Sequence, residues 1–124
     1  MESESLKVLL IGKDERFARS VGDLLREGGG ANQPATAPTV NAGLAQLGQS
    51  AFDAVLFDVP AADRDGLSQI TLLAVQAPRV PIIVLGPAND ERFAAEAVRA
   101  GAQDYLPKEK LEARGLRSAI RCAI

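Results

Sequence analysis

Short apolar runs alternate along the chain with stretches in which apolar residues recur every three or four positions. The runs lie at residues 6–11, 52–57 and 80–85, with a weaker one at 104–106. Runs of this length, rich in Val, Ile and Leu and bounded by Gly, Pro or Asp, suit strands buried on both faces of a parallel sheet. Between them, Phe17, Val21, Leu24 and Leu25 repeat at helical spacing up to the stop at Gly28-Gly29-Gly30. Leu67, Ile70, Leu73 and Ala74 do the same, as do Phe93, Ala97 and Val98 ahead of Gly101. Leu116, Ala119, Ile120 and Ala123 make the stripe of a last helix. The segment 28–39 is dominated by Gly, Pro, Ala and Thr; only residues 37–40 hint at an exposed second strand, followed by a small helix at about 42–47.

Five β/α units imply a parallel sheet covered on both faces, an α/β domain. Right-handed crossovers favour the flavodoxin-like strand order 2-1-3-4-5, in which the carboxyl ends of strands 1 and 3 flank the site. Asp58 closes the run Ala54-Val55-Leu56-Phe57, and the first strand is followed by Gly12 and Lys13. The topology therefore brings Gly12, Lys13 and Asp58 together.

Composition narrows the chemistry. The 124 residues fit one domain, 1–124, and with 47% hydrophobic and 24% charged residues the chain is of ordinary globular type. A net charge of -2 supplies no basic field for a phosphate backbone, so no nucleic-acid partner is expected. No apolar stretch approaches the ~20 residues that span a bilayer, and the start Met1-Glu2-Ser3-Glu4-Ser5 is unlike a signal peptide. The single Cys122 has no internal disulfide partner and reads as a small apolar residue of the last helix, so a cytoplasmic setting is expected. The absence of histidine removes the commonest general base and zinc ligand.

Three segments together resemble the response-regulator receiver domain over nearly the whole chain. They are Phe52-Asp53-Ala54-Val55-Leu56-Phe57-Asp58 with Asp65-Gly66-Leu67 after it, Val80-Pro81-Ile82-Ile83-Val84-Leu85, and Ala100-Gly101-Ala102-Gln103-Asp104-Tyr105-Leu106-Pro107-Lys108. The resemblance puts Asp58 at the phosphoacceptor position, Lys108 at the lysine that contacts the phosphoryl group, Tyr105 at the switch aromatic and Gly86 at the hydroxyl residue after strand 4. Receivers transfer a phosphoryl group to the aspartate with a divalent ion held by neighbouring carboxylates through oxygen ligands.

The chain departs from that pattern at the metal and at the switch. The family's acidic pair after strand 1 corresponds to Gly12 and Lys13, and Asp14, one residue late, suits the N-cap of the first helix. With Lys13 and Lys108 both near it, Asp58 is expected to stand as a charged structural pair that leaves no need for a metal; a Lys13 that points to solvent is the plain alternative. Gly86 has no hydroxyl and leaves a gap that Tyr105 can fill from inside; plain core edge is the competing reading of Tyr105. Pro107 precedes Lys108 and Glu109 follows it, whereas the family lysine is usually followed by proline.

The expectation is thus a degenerate receiver, not an enzyme, without cofactor, acting as a phosphorylation-independent regulatory or dimerisation module. Its partners would be downstream domains of the same chain or a partner signalling protein. The alternative is a working receiver phosphorylated on Asp58 with magnesium held by Asp58 and Asp14. A nucleotide-binding enzyme is disfavoured, because neither Gly-x-Gly-x-x-Gly nor the Walker spacing follows strand 1. An Asp-based phosphatase is disfavoured because Val59-Pro60 supplies no second acid.

On the last helix Lys110, Arg114, Arg117 and Arg121 fall at spacings of four, three and four and make a basic stripe, with Glu96 and Asp104 on neighbouring elements. These acids and Arg114, Arg117 and Arg121 are candidates for a homodimer face; a solvated face is the plain alternative. The helical pattern still runs at Ile124, which suggests a domain excised from a longer protein, and the ending resembles receivers that lead into a sensor or cyclic-dinucleotide-turnover domain.

Overall fold

The computed structural model describes residues 6–27, 34–87 and 90–124. The start at Met1 to Ser5 and the helix stop at Gly28 to Gly30 lie outside the described residues.

Five strands, β1 (Val8–Ile11), β2 (Ala35–Ala37), β3 (Ala54–Asp58), β4 (Ile82–Gly86) and β5 (Asp104–Pro107), pair in parallel in the order β2-β1-β3-β4-β5. They alternate with helices α1 (Glu15–Glu27), α2 (Val40–Gln49), α3 (Arg64–Gln76), α4 (Glu91–Ala100) and α5 (Ala113–Ala123), and a short 3-10 turn, Lys108–Lys110, follows β5. The architecture is the flavodoxin-like α/β sheet that the alternating pattern implies.

Successive strand side chains go to opposite faces, so one run of apolar residues feeds two cores. Leu9, Ile11, Val55, Phe57 and Val84 pack with Val40 of α2, Ile70 and Leu73 of α3, and Phe93 and Ala97 of α4. Val8, Leu10, Leu56, Ile83 and Leu85 pack with Val21 and Leu25 of α1 and with Leu116 and Ile120 of α5. Each fully buried Leu or Ile contributes about 1.5–3 kcal/mol relative to exposure, which is why the three central strands are almost wholly aliphatic.

Helix starts are set by short polar side chains. Thr39, Asp63 and Asp90 cap α2, α3 and α4 by accepting backbone N–H bonds in their first turns. At the end of α4, Gly101 takes φ +128, and a Cβ there would also run into Ala74 of α3.

The second unit differs from its expected bounds. The strand occupies Ala35–Ala37 rather than 37–40, and the helix runs over Val40–Gln49 rather than 42–47. Pro38 has no N–H to offer a ladder, and the Thr39 hydroxyl accepts from Ala42 N at 3.1 Å, so the helix recruits residues that looked like strand. Val40 is buried as the first residue of α2, not as a strand residue. Among the described residues no helix is long and apolar enough to cross a membrane.

Candidate functional site

Asp58 ends β3 with its neighbours on both sides, β1 and β4, already in register, so its side chain emerges at the carboxyl edge of the sheet. It is the one polar residue found buried among the described residues, at 6% exposure. Its partner is Lys108, the residue after β5, whose ammonium forms an ion pair with Asp58 Oδ1. That oxygen takes no hydrogen bond of ordinary geometry among the described residues, so the contact is one of charge rather than of a well-aligned donor. The ammonium also sits 5.0 Å from the centre of the Phe17 ring. Lys108 is thus held between a carboxylate and an aromatic face.

Gly12 approaches the same carboxylate from β1. Its N–H donates to Ala37 O at 2.8 Å, which keeps the residue in line with the sheet beyond the last β1 position. A Cβ added there would lie 2.7 Å from Asp58 Cβ and 3.0 Å from Oδ2, closer than real Cβ atoms come to their neighbours. Asp58 therefore packs on bare backbone. Asp14 serves the first helix instead: its Oδ1 accepts from Arg16 N at 3.0 Å and from Phe17 N at 3.1 Å, capping α1. The cap sets the first turn that carries Phe17 to Lys108.

Lys13 is placed otherwise than expected. It lines the cleft of about 500 Å³ above Asp58, but it is exposed and makes no ion pair among the described residues. One ammonium, not two, meets Asp58. A lysine on a loop beyond the sheet edge retains its hydration by pointing outward, and the carboxylate is already neutralised by Lys108. Thr39 of the α2 cap and Gln69 of α3 line the cleft as well, together with Asp63 and Asp65.

At the far side of β4, Gly86 pairs in register with Pro107, and the Tyr105 ring lies directly over it. A Cβ on Gly86 would overlap the Tyr105 hydroxyl and the adjoining ring atoms. The ring meets Phe93 of α4 edge to face, with centroids 5.8 Å apart and planes at 75°.

Comparison with known proteins agrees with this geometry. A family model, the response regulator receiver domain, matches residues 8–121. The chain belongs to this family. The receiver is 33% identical over 110 residues to the response regulator protein FleR of Pseudomonas aeruginosa, covering 89% of this chain and 23% of FleR. It is 35% identical over 117 residues to the KDP operon transcriptional regulatory protein KdpE of Escherichia coli K12, covering 91% of this chain and 51% of KdpE. The chain thus spans about half or less of these curated relatives. A response regulator from Thermotoga maritima superposes with a TM-score of 0.83 at 22% identity, covering 97% of this chain and 98% of that one, and so shares the fold.

The receiver's donor set does not fit the divalent ion that the family implies. Such an ion takes several oxygen ligands, yet Asp58 has the Gly12 backbone on one side and an ammonium on the other, while Asp14 is committed to its helix. Among the described residues no three Asp, Glu or Cys side chains converge as metal ligands.

The candidate dimer residues separate. Arg114, Arg117 and Arg121 line an open groove with Leu24 and Glu27 of α1, and neither Glu96 nor Asp104 borders it. Glu96 is half-buried on α4; Asp104 is exposed, and its Oδ1 accepts the Tyr105 backbone N–H at 2.7 Å. Cys122 is exposed beside the same groove instead of packing as an apolar residue. Sequence reasoning found Asp58, Lys108, Gly86 and Tyr105 but missed Phe17 as the second partner of Lys108. In the sequence Phe17 belongs to the apolar stripe of the first helix, and nothing in its spacing points to Lys108.

Proposed function

We propose that this receiver works without magnesium-dependent phosphorylation of Asp58, as a regulatory or dimerisation module of a longer signalling protein. One observation carries the proposal: Asp58 packs on the Gly12 backbone and pairs with the Lys108 ammonium, and among the described residues no three acids converge to hold a metal. In this reading Asp58 is a structural anchor, the chain is not an enzyme, and it acts in the cytoplasm on domains of the same chain or of a partner. FleR is a response regulator and KdpE a transcriptional regulator, each longer than this chain, and proteins of that kind supply the domains to be regulated. Pairing of two copies would bring the arginine groove of one onto Glu96 and Asp104 of the other, since the two sets do not meet within one copy.

The test is intact-mass measurement after incubation with a small phosphodonor and magnesium. The mass is expected to stay that of the unmodified chain. A phosphoryl adduct that disappears in Asp58→Asn would establish the working receiver instead.

A further inference from the structure

Three of the five helices turn charged faces to water and two do not. Arg16 and Arg19 of α1, Arg92 and Arg99 of α4, and Arg114 and Arg121 of α5 are exposed. In a chain that is 24% charged, no Asp, Glu, Lys or Arg occurs over residues 34–52 or 66–78, which hold all of α2 and all but the first two residues of α3. These two helices are neighbours on one side of the sheet, with Val40 of α2 and Ile70 and Leu73 of α3 turned to the core. Their opposite stripes therefore face out together. On α3 that stripe is Ser68, Leu72 and Val75, at spacings of four and three, with Leu72 39% and Val75 67% exposed. On α2 the same spacings give Asn41, Ala45 and Gly48, all exposed, and nothing lies within 4 Å of where a Cβ on Gly48 would be. Two apolar knobs thus stand beside a shallow strip of small residues. Scattered exposed apolar side chains are ordinary, but a whole face emptied of charge has the make-up of an interface core.

We propose that the face made by α2 and α3 docks a second copy of this chain about a two-fold axis, with Leu72 and Val75 of one copy seated over Ala45 and Gly48 of the other. In such a pair every contact occurs twice, so a face that carries both the knobs and the strip is its own complement. Charge selects the same occupant. An arginine-bearing face laid on its own copy brings like charges together, whereas this face brings none. Helices of 10 and 13 residues, at about 1.5 Å per residue and about 10 Å across, offer a face of roughly 20 Å by 20 Å. That is the size of a transient interface, with a dissociation constant expected on the order of 1 mM. In the longer protein of the proposed function, tethered copies meet at about millimolar effective concentration, where such a contact is populated. That use rests on the proposed function; the contact itself does not.

Backbone amides of the chain, followed by nuclear magnetic resonance from about 50 µM to about 2 mM, test the contact in the range its size implies. The amides of Ala45, Gly48, Leu72 and Val75 are expected to shift with concentration toward a common saturation. Gly48→Gln fills the strip without touching its own copy and replaces a poor helix former, so it acts on the pairing and not on the fold. It is expected to weaken association at least about tenfold, as is the double variant Leu72→Glu, Val75→Glu, each checked for fold by far-ultraviolet circular dichroism. With no charge in the contact, about 0.5 M salt should leave the shifts in place, whereas pairing through the arginine groove should weaken. Amides of α2 and α3 that stay fixed throughout would overturn the pairing and leave the face to another partner or to solvent. Shifts confined to α5 would overturn it in favour of the groove, and so would either variant associating as tightly as wild type. A phosphoryl adduct on Asp58 would defeat the proposed function and leave these shifts standing, so the two ideas fail separately.

Discussion

Replacing Lys108 by methionine removes the ammonium while keeping most of the apolar stem against Phe17, and so isolates the charge on which Asp58 depends. Asp58 is 6% exposed and Lys108 24%, so the carboxylate, not the ammonium, is the group that water cannot rescue. Removing one partner of a fully buried pair costs about 3–5 kcal/mol; partial access of water to the Lys108 side brings the expected loss to about 2–3 kcal/mol. For a domain of this size that is roughly a 10 °C fall in Tm. With a urea m-value of about 1–3 kcal/mol/M, the midpoint should drop by on the order of 1 M. Urea unfolding followed by circular dichroism measures it directly. Asp58→Asn should cost less, because the stranded group is then the better hydrated lysine, and the double variant should lose about 1–2 kcal/mol less than the sum of the singles. A Lys108→Met loss within about 0.5 kcal/mol of zero, the range of an ordinary surface change, would refute the enclosed pair.

Gly12→Asp restores an acid at the family's position and should not restore a metal site: its Cβ must push Asp58 aside, at a cost of about 1–3 kcal/mol, and Tm should not recover with magnesium. A recovery of about 1.4 kcal/mol on adding magnesium at tenfold its dissociation constant would show that the acid alone was missing. Sedimentation of Arg117→Glu, Arg121→Glu against wild type tests pairing through the arginine groove; the expected outcome is a dimer lost in the variant, and equal mass in both removes that part of the proposal.

Most of the sheet was legible because the central strands are buried on both faces, so length and aliphatic content identify them without any need for alternation. Asp58 was legible for the same reason, as the first charge after such a run. The edge strand β2 was not: Ala35–Ala37 is a three-residue piece of small side chains, and the clue lay in Pro38 and the Thr39 cap. Lys13 was misread because a loop residue has no periodicity to fix its direction. Gly12 was legible as a missing acid but not as a steric contact, which depends on the hydrogen bond from Gly12 to Ala37 O beyond the end of β1. Gly86 and Tyr105 were legible as a gap and a ring that can fill it, since the parallel register of β4 and β5 places Val84 beside Tyr105 and Gly86 just beyond.

If Asp58 is a structural anchor, it has neither a metal-bound nor a phosphoryl state. Titration of the folded chain with magnesium and beryllofluoride, a mimic of an aspartyl phosphate, addresses this most directly when backbone amides are followed by nuclear magnetic resonance, because it does not depend on the lifetime of an adduct. The expected result is no saturable shift at Asp58, Val59, Gly86, Tyr105 or Lys108. A saturable, magnesium-dependent shift at these residues that is abolished in Asp58→Asn would contradict it.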